Sequence, residues 1–170
     1  MFSCNVPIDG AVGERAGEIA HQLPEARARV RGERTLVCKR LGRDVAPHEY
    51  HELEARAREA IRGTPAFQAR VTGVDCFEAP ERGAGPVVYL AVESPELQRL
   101  HCRLCDVVDP VAGLEGEAYV PHVTVARGGS LERAREVCAE AFDPITWTVT
   151  DLVFWDAERD RAVSRVSLPA

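Results

Sequence analysis

Apolar residues recur along this chain with two periods, one near two and one near 3.6, and the alternation between them predicts short strands separated by amphipathic helices. Phe2 to Pro7 reads as an opening strand that ends at a proline. From Gly10 to Leu23 the residues Val12, Ala16, Ile19, Ala20 and Leu23 fall at helical spacing, and the pattern stops at Pro24. Val30 to Leu41 contains the next strand, closed by Gly42. Pro47 to Arg62 alternates acid and base, with Leu53, Ala57, Ala60 and Ile61 turned inward, as a solvent-facing helix does. Phe67 to Phe77 and Val87 to Val92 are strands, separated by the Gly- and Pro-rich loop from Ala79 to Pro86.

The second half repeats the theme. Ser94 to Val107 is a helix with Ser94 as N-cap and Pro95 in its first turn. Tyr119 to Arg127 is a strand, and Ser130 to Phe142 is a helix capped by Ser130. Thr146 to Phe154 and Ala162 to Leu168 form a closing hairpin around the polar turn Glu158-Arg159-Asp160-Arg161. No linker or low-complexity segment interrupts the 170 residues, so one domain spanning 1–170 and built of two similar halves is expected.

The residues that carry chemistry lie in Val120-Pro121-His122-Val123-Thr124-Val125-Ala126-Arg127. A strand's two-residue period puts His122 and Thr124 on one face. Imidazole, with an unperturbed pKa of ~6.5, gives or takes a proton near neutrality, and a hydroxyl beside it can hold an anionic oxygen. Phosphate-ester chemistry is the natural reading of that pair. A second segment, Arg34-Thr35-Leu36-Val37-Cys38-Lys39-Arg40-Leu41-Gly42, shares the layout without the histidine.

These two segments resemble the paired His-x-Thr-x motifs of the 2H phosphoesterases, the family that includes the 2'-5' RNA ligases and the RNA 2',3'-cyclic phosphodiesterases. The second motif matches as His122-Val123-Thr124-Val125, preceded by Pro121 and followed by Ala126-Arg127. The first motif departs from the pattern. Anchored on Leu41-Gly42, Thr35 stands at the histidine position and Val37 at the threonine position; a register shifted by one residue puts Arg34 there instead, and both registers remain open. The resemblance runs over nearly the whole chain, from Phe2 to Pro7 through Val87 to Val92 and Ser94 to His101. It implies an α+β fold, a two-lobed duplicated α/β sandwich with antiparallel sheets around a central groove. It also implies metal-free acid and base catalysis. On that reading His122 and Thr124 are catalytic, Thr35, Arg34, Lys39 and Arg127 bind substrate, and neither a cofactor nor a metal ligand is expected.

Charge changes this picture. The net charge of -6 opposes non-specific capture of a polyanion, so the partners expected are RNA ends or a small cyclic-phosphate nucleotide held by local positive charge from Lys39, Arg40, Arg34 and Arg127. Lys39 is the one lysine against twenty arginines, a bias of GC-rich genomes, and the acidic excess is common in high-salt cytoplasm. No apolar run approaches the ~18 residues of a membrane span, and the N-terminus lacks signal-peptide features, so a cytoplasmic monomer away from membranes is expected.

Six cysteines raise metal binding. His101-Cys102-Arg103-Leu104-Cys105 offers half of a tetrahedral zinc site, but no second pair has comparable spacing. Cys4, Cys38, Cys76 and Cys138 sit among apolar neighbours and read as reduced, buried small side chains. His21 and His101 read as ordinary helix residues, and His48 and His51 as a solvated face that could approach the groove and supply a second acid. Two functions follow. One is a cyclic phosphodiesterase with an altered first motif; the other is a catalytically impaired relative that binds RNA ends or a small phosphorylated ligand.

Overall fold

A computed structural model describes residues 1–30, 34–42 and 45–170. The first residues expected in the second long strand, 31–33, lie outside the described residues. In chain order the elements are β1 (Phe2–Val6), α1 (Gly10–His21), β2 (Arg27–Ala28), β3 (Leu36–Gly42), α2 (Pro47–Ile61), β4 (Phe67–Phe77), β5 (Val87–Glu93), α3 (Pro95–Cys105), β6 (His122–Arg127), α4 (Leu131–Cys138), β7 (Ile145–Val149), β8 (Asp151–Asp156) and β9 (Arg161–Ser167). Three of the helices start on a side-chain cap: Asp9 accepts from the Ala11 N–H, Ser94 from Leu97 and Ser130 from Arg133. No helix among the described residues is long and apolar enough to cross a membrane.

The α+β antiparallel architecture expected from sequence is present, with its two lobes fused into one sheet of order β7-β4-β5-β6-β3-β1-β8-β9, with β2 paired to β6. β4, β5, β6 and β7 form one half, and β1, β3, β8 and β9 the other; a single Cα pair, Leu36 with Val123, joins them through β3 and β6. α1 packs against β6 and α4 against β4, while α2 and α3 pack on one another and against β3. Their apolar faces and the inward strand residues form one buried cluster that includes Val12, Ile19, Leu36, Ile61, Leu90, Leu100, Val123 and Phe154.

The expected strand from Thr146 to Phe154 is two strands. β7 pairs with β4 in one half, β8 pairs with β1 in the other, and Thr150 alone separates them. β7 and β8 are six places apart in the sheet, which flat would be ~29 Å. One intervening residue spans only ~7 Å, so the sheet has to curl until its ends meet. High β propensity on both sides of Asp151 hid the crossing. α4 also ends four residues short of Phe142, at Cys138.

Beyond Leu36 and Val123 the sheet parts, and β3 loses its strand neighbour on that side. The segment around the 3₁₀ turn Gly116–Ala118 fills the gap. The Tyr119 hydroxyl donates to the Val37 carbonyl (2.8 Å), His101 Nδ1 donates to the Cys38 carbonyl (2.7 Å), and the Arg40 N–H donates to Glu115 Oε1 (2.7 Å). His101 Nε2 accepts from the Gly116 N–H (2.9 Å), and its ring stacks on Tyr119 at 3.7 Å. His101 is therefore a fully buried bracket between helix, strand and turn rather than an ordinary helix residue.

Lys39 closes the network. Its ammonium is fully buried and donates to Glu115 Oε2 (2.6 Å) and to the carbonyls of Arg40 (2.7 Å) and Asp109 (3.1 Å). All three of its donors are used, which is the condition for a tolerable buried charge. Burial pushes the Glu115 carboxyl up, but hydrogen bonds from Lys39, the Val111 N–H and the Arg40 N–H outweigh it and hold the group below the usual range. The pair's contribution to stability is thus fully present above the unfolded glutamate pKa of ~4.3 and is lost as pH falls through the lower folded value. Glu115→Ala, leaving Lys39 charged and buried without its partner, is expected to cost ~3–5 kcal/mol in urea unfolding at pH 7. Lys39→Met combined with Glu115→Leu should cost less than that single change; a double variant as unstable as Glu115→Ala contradicts the assignment.

Candidate active site

Both motif strands carry a bulge at the same place, and the bulges decide which side chains reach the open face of the sheet, away from the helices. On β3, Asn5 pairs with Val37 and Cys4 with Lys39, so Cys38 is the extra residue. On β6, Tyr89 pairs with Thr124 and Val88 with Ala126, so Val125 is extra. Each bulge turns two successive residues into the core, Cys38 with Lys39 and Val125 with Ala126. The next residue, Arg40 or Arg127, then returns to the open face, half-buried like Val37, Thr124 and His122. The repeat is His122-x-Thr124-x-x-Arg127 against Thr35-x-Val37-x-x-Arg40, so by the bulges Thr35 corresponds to His122 and Val37 to Thr124.

Two expected positions are corrected by this geometry. Lys39 does not border the site: simple alternation from Val37 places it there, but the bulge sends it into the core and Arg40 takes its place. Arg34 donates to the carbonyls of Arg29 (3.0 Å) and Gly13, so its guanidinium ties α1 to the start of β3 instead of facing a ligand. His48 and His51 are exposed on α2, which packs on the face of β3 that carries Leu36 and Cys38, opposite to the open face. His21 is likewise exposed, on α1. With His101 in the core, His122 is the one histidine on the open face.

The antiparallel direction of β3 and β6 at Leu36 and Val123 puts Val37 toward the His122 end of β6 and Thr35 toward its Thr124 end. Along the open face the row therefore runs from Arg127, through Thr124 with Thr35, to His122 with Val37, and ends at Arg40. The arginines close the row from opposite ends.

His122 is held in one tautomer. Its Nδ1–H donates to the Val120 carbonyl (2.7 Å), leaving the Nε2 lone pair to act as a base when the ring is neutral. The ring packs edge-on against Phe77 (5.3 Å, 83°) and tilted against Tyr89 (5.2 Å), which stack on one another at 4.3 Å. Tyr89 is fixed in turn by its hydroxyl, which donates to Asp75 Oδ2 (3.2 Å). Burial pushes the His122 pKa down, and the positive charges of Arg40 and Arg127 add to that against the bond to Val120. Arg127 donates to the Arg82 carbonyl (3.3 Å), and burial followed by the charges of Arg29 and Arg40 lowers its own pKa. Asn5, beside Val37, is buried with an unpartnered Oδ1. Sequence reasoning missed Phe77 and Tyr89 as site residues and read Arg40 only as local charge; the repeated x-x-Arg spacing was the available signal for its place in the row.

Among the described residues, metal-ligating atoms gather at Asp75, the partner of Tyr89. One ligand atom each from Asp75, Cys76 and Cys138 lies within 4.8 Å of the others. Both thiols are half-exposed rather than buried as expected, and burial together with Cys76 pushes Cys138 up to about 12. A surface depression of about 590 Å³, lined by Arg58, Ile61, Thr64 and Leu168, lies apart from the row, between α2 and β9.

Comparison with known proteins gives the family and the fold. A sequence model described as the 2'-5' RNA ligase superfamily matches residues 41–161. The chain belongs to that superfamily. Among solved structures, Escherichia coli LigT complexed with NADP+ superposes with a TM-score of 0.71 at 17% identity, over 99% of this chain and 97% of that one. A Thermus thermophilus protein gives 0.69 at 18% over 98% and 97%, and Kluyveromyces marxianus Usb1 gives 0.63 at 13% over 99% and 96%. These likenesses establish the fold. No curated protein matches the chain.

With its pKa lowered, His122 should titrate below the ~6.5 of a free histidine and be neutral at pH 7. An NMR titration of the His122 ring checks this; a midpoint at or above 6.5 in the free protein contradicts it.

Proposed function

We propose that this member of the 2'-5' RNA ligase superfamily recognises a phosphorylated or cyclic-phosphate end of a nucleotide or RNA on its open face, with the family's acid–base phosphodiesterase reaction impaired. The observation that carries this reading is the single histidine. Opening a 2',3'-cyclic phosphate with water needs a proton removed from the attacking water and one delivered to the departing ribose oxygen. His122 Nε2 is suited to the first step, because the bond to Val120 and its lowered pKa keep it free and neutral. Thr35 and Val37 offer nothing for the second. Arg40 stabilises negative charge on the leaving oxygen but is too weak an acid to release its own proton. Each positioned proton-transfer group contributes ~10²–10⁴ in rate, so turnover falls by about that factor while phosphate binding remains.

Binding has its own support. Thr124 offers a hydroxyl donor next to His122, Arg127 and Arg40 supply guanidinium donors, and Phe77 with Tyr89 forms an apolar wall alongside. LigT, which shares the fold, has been solved with 3'-AMP and with phosphate. The tautomer of His122 favours a second reading, a slow 2',3'-cyclic phosphodiesterase working with one base. The acid–base work falls to side chains in both readings.

Nucleoside 2',3'-cyclic phosphate is the probe. Calorimetry should show saturable binding that Thr124→Val and His122→Ala each weaken, and any hydrolysis at high protein concentration should disappear in His122→Ala. Absence of saturable binding, or hydrolysis that survives the loss of His122, contradicts the proposal.

A further inference from the structure

Resting on that reading, we propose that Arg40 takes the place of the missing partner opposite His122 and makes the site a reader of doubly charged terminal phosphates, so that it selects a nucleotide or RNA end bearing a 2'- or 3'-phosphomonoester over a cyclic phosphate.

The two bulges make Arg40 the counterpart of Arg127, three residues beyond Val37 as Arg127 is three beyond Thr124. The antiparallel register puts these arginines at the two ends of one row, with His122 and Thr124 between them. Their fields overlap inside it. The charges of Arg40 and Arg127 both weigh against protonation of His122, and those of Arg29 and Arg40 bear on Arg127. Among the described residues neither arginine is matched by a free carboxylate. Glu115 lies 3.5 Å from Arg40 Nη1, but its single charge is shared with Lys39 at 2.6 Å, so Lys39, Arg40 and Glu115 together keep one positive charge. Asp75, the acid on the aromatic side, accepts from the Tyr89 hydroxyl and the Cys76 N–H.

A row with two fixed positive ends and a neutral imidazole matches a dianion better than a monoanion. A phosphomonoester carries nearly two charges at pH 7.5, since its second pKa is ~6, and has three oxygens to share between two guanidinium forks. A 2',3'-cyclic phosphate carries one charge and two free oxygens. In an overall acidic protein this local excess provides the attraction that the molecule as a whole does not.

The test compares nucleoside 3'-monophosphate with the matching 2',3'-cyclic phosphate by calorimetry at pH 7.5 and fixed salt. The wild type should favour the monoester by about ten-fold or more, the scale of one additional charge-assisted contact. Arg40→Gln should bring the ratio close to one while the cyclic phosphate still binds. Arg40→Lys, which keeps the charge and loses the fork, should fall between them. Thermal midpoints identify any variant that has lost its fold through the Glu115 contact, and Arg40→Lys then decides alone. Equal affinity for both ligands in the wild type, or a ratio unchanged in Arg40→Lys and Arg40→Gln, overturns this proposal and leaves the reading of the site intact. Failure of both ligands to bind overturns the two together.

Discussion

The buried ion pair between Lys39 and Glu115 is the interaction on which the arrangement of the site depends. A sheet that parts between two strands leaves backbone donors and acceptors without partners, and leaving such groups bare inside a protein costs about 1–3 kcal/mol each. Here the opening between β3 and β6 is lined by side chains that stand in for a strand: Tyr119 on Val37, His101 on Cys38, Glu115 on the N–H of Arg40 and Lys39 on its carbonyl. Glu115 can lie in that gap as an anion because Lys39 has been turned into the core to meet it. The same bulge that buries Lys39 returns Arg40 to the open face, so the structural network and the composition of the site are one geometric decision.

Seen this way, the two halves of the site differ in chemistry more than in architecture. Both motif strands keep the bulge and the following arginine. β6 keeps a base and a hydroxyl, held by Val120, Phe77 and Tyr89. β3 offers a small hydroxyl and an aliphatic side chain in the corresponding places. On the proposed reading proton transfer is thereby reduced to one group, whereas the donors that would hold an anion remain. Binding and turnover are separable in this fold for that reason, and a chain can lose the second without losing the first.

Much of the fold was legible from period and punctuation. The helices from Gly10 and Pro47, the cap at Ser94 and the strands around Phe67 and Val87 follow from local rules that tertiary packing does not override. The crossing at Thr150 was not legible, because the β-branched and apolar residues on both sides of Asp151 suit a strand and only pairing partners tell β7 from β8. At the site, His122 and Thr124 could be read from a two-residue period, but Lys39 and Arg40 exchange faces through a bulge that leaves no local signal at Cys38. His101 was missed for a related reason. Its role comes from a carbonyl 63 positions away, and a helical pattern describes only the helix.

The most direct test of the account is a crystal structure of this protein with a nucleoside 3'-monophosphate bound. The account predicts the phosphate in the row on the open face, between Arg40 and Arg127, hydrogen-bonded to the Thr124 hydroxyl and within reach of His122 Nε2, with Lys39 still paired to Glu115. A phosphate seated elsewhere, or one held there with Arg40 turned away from it, would contradict it.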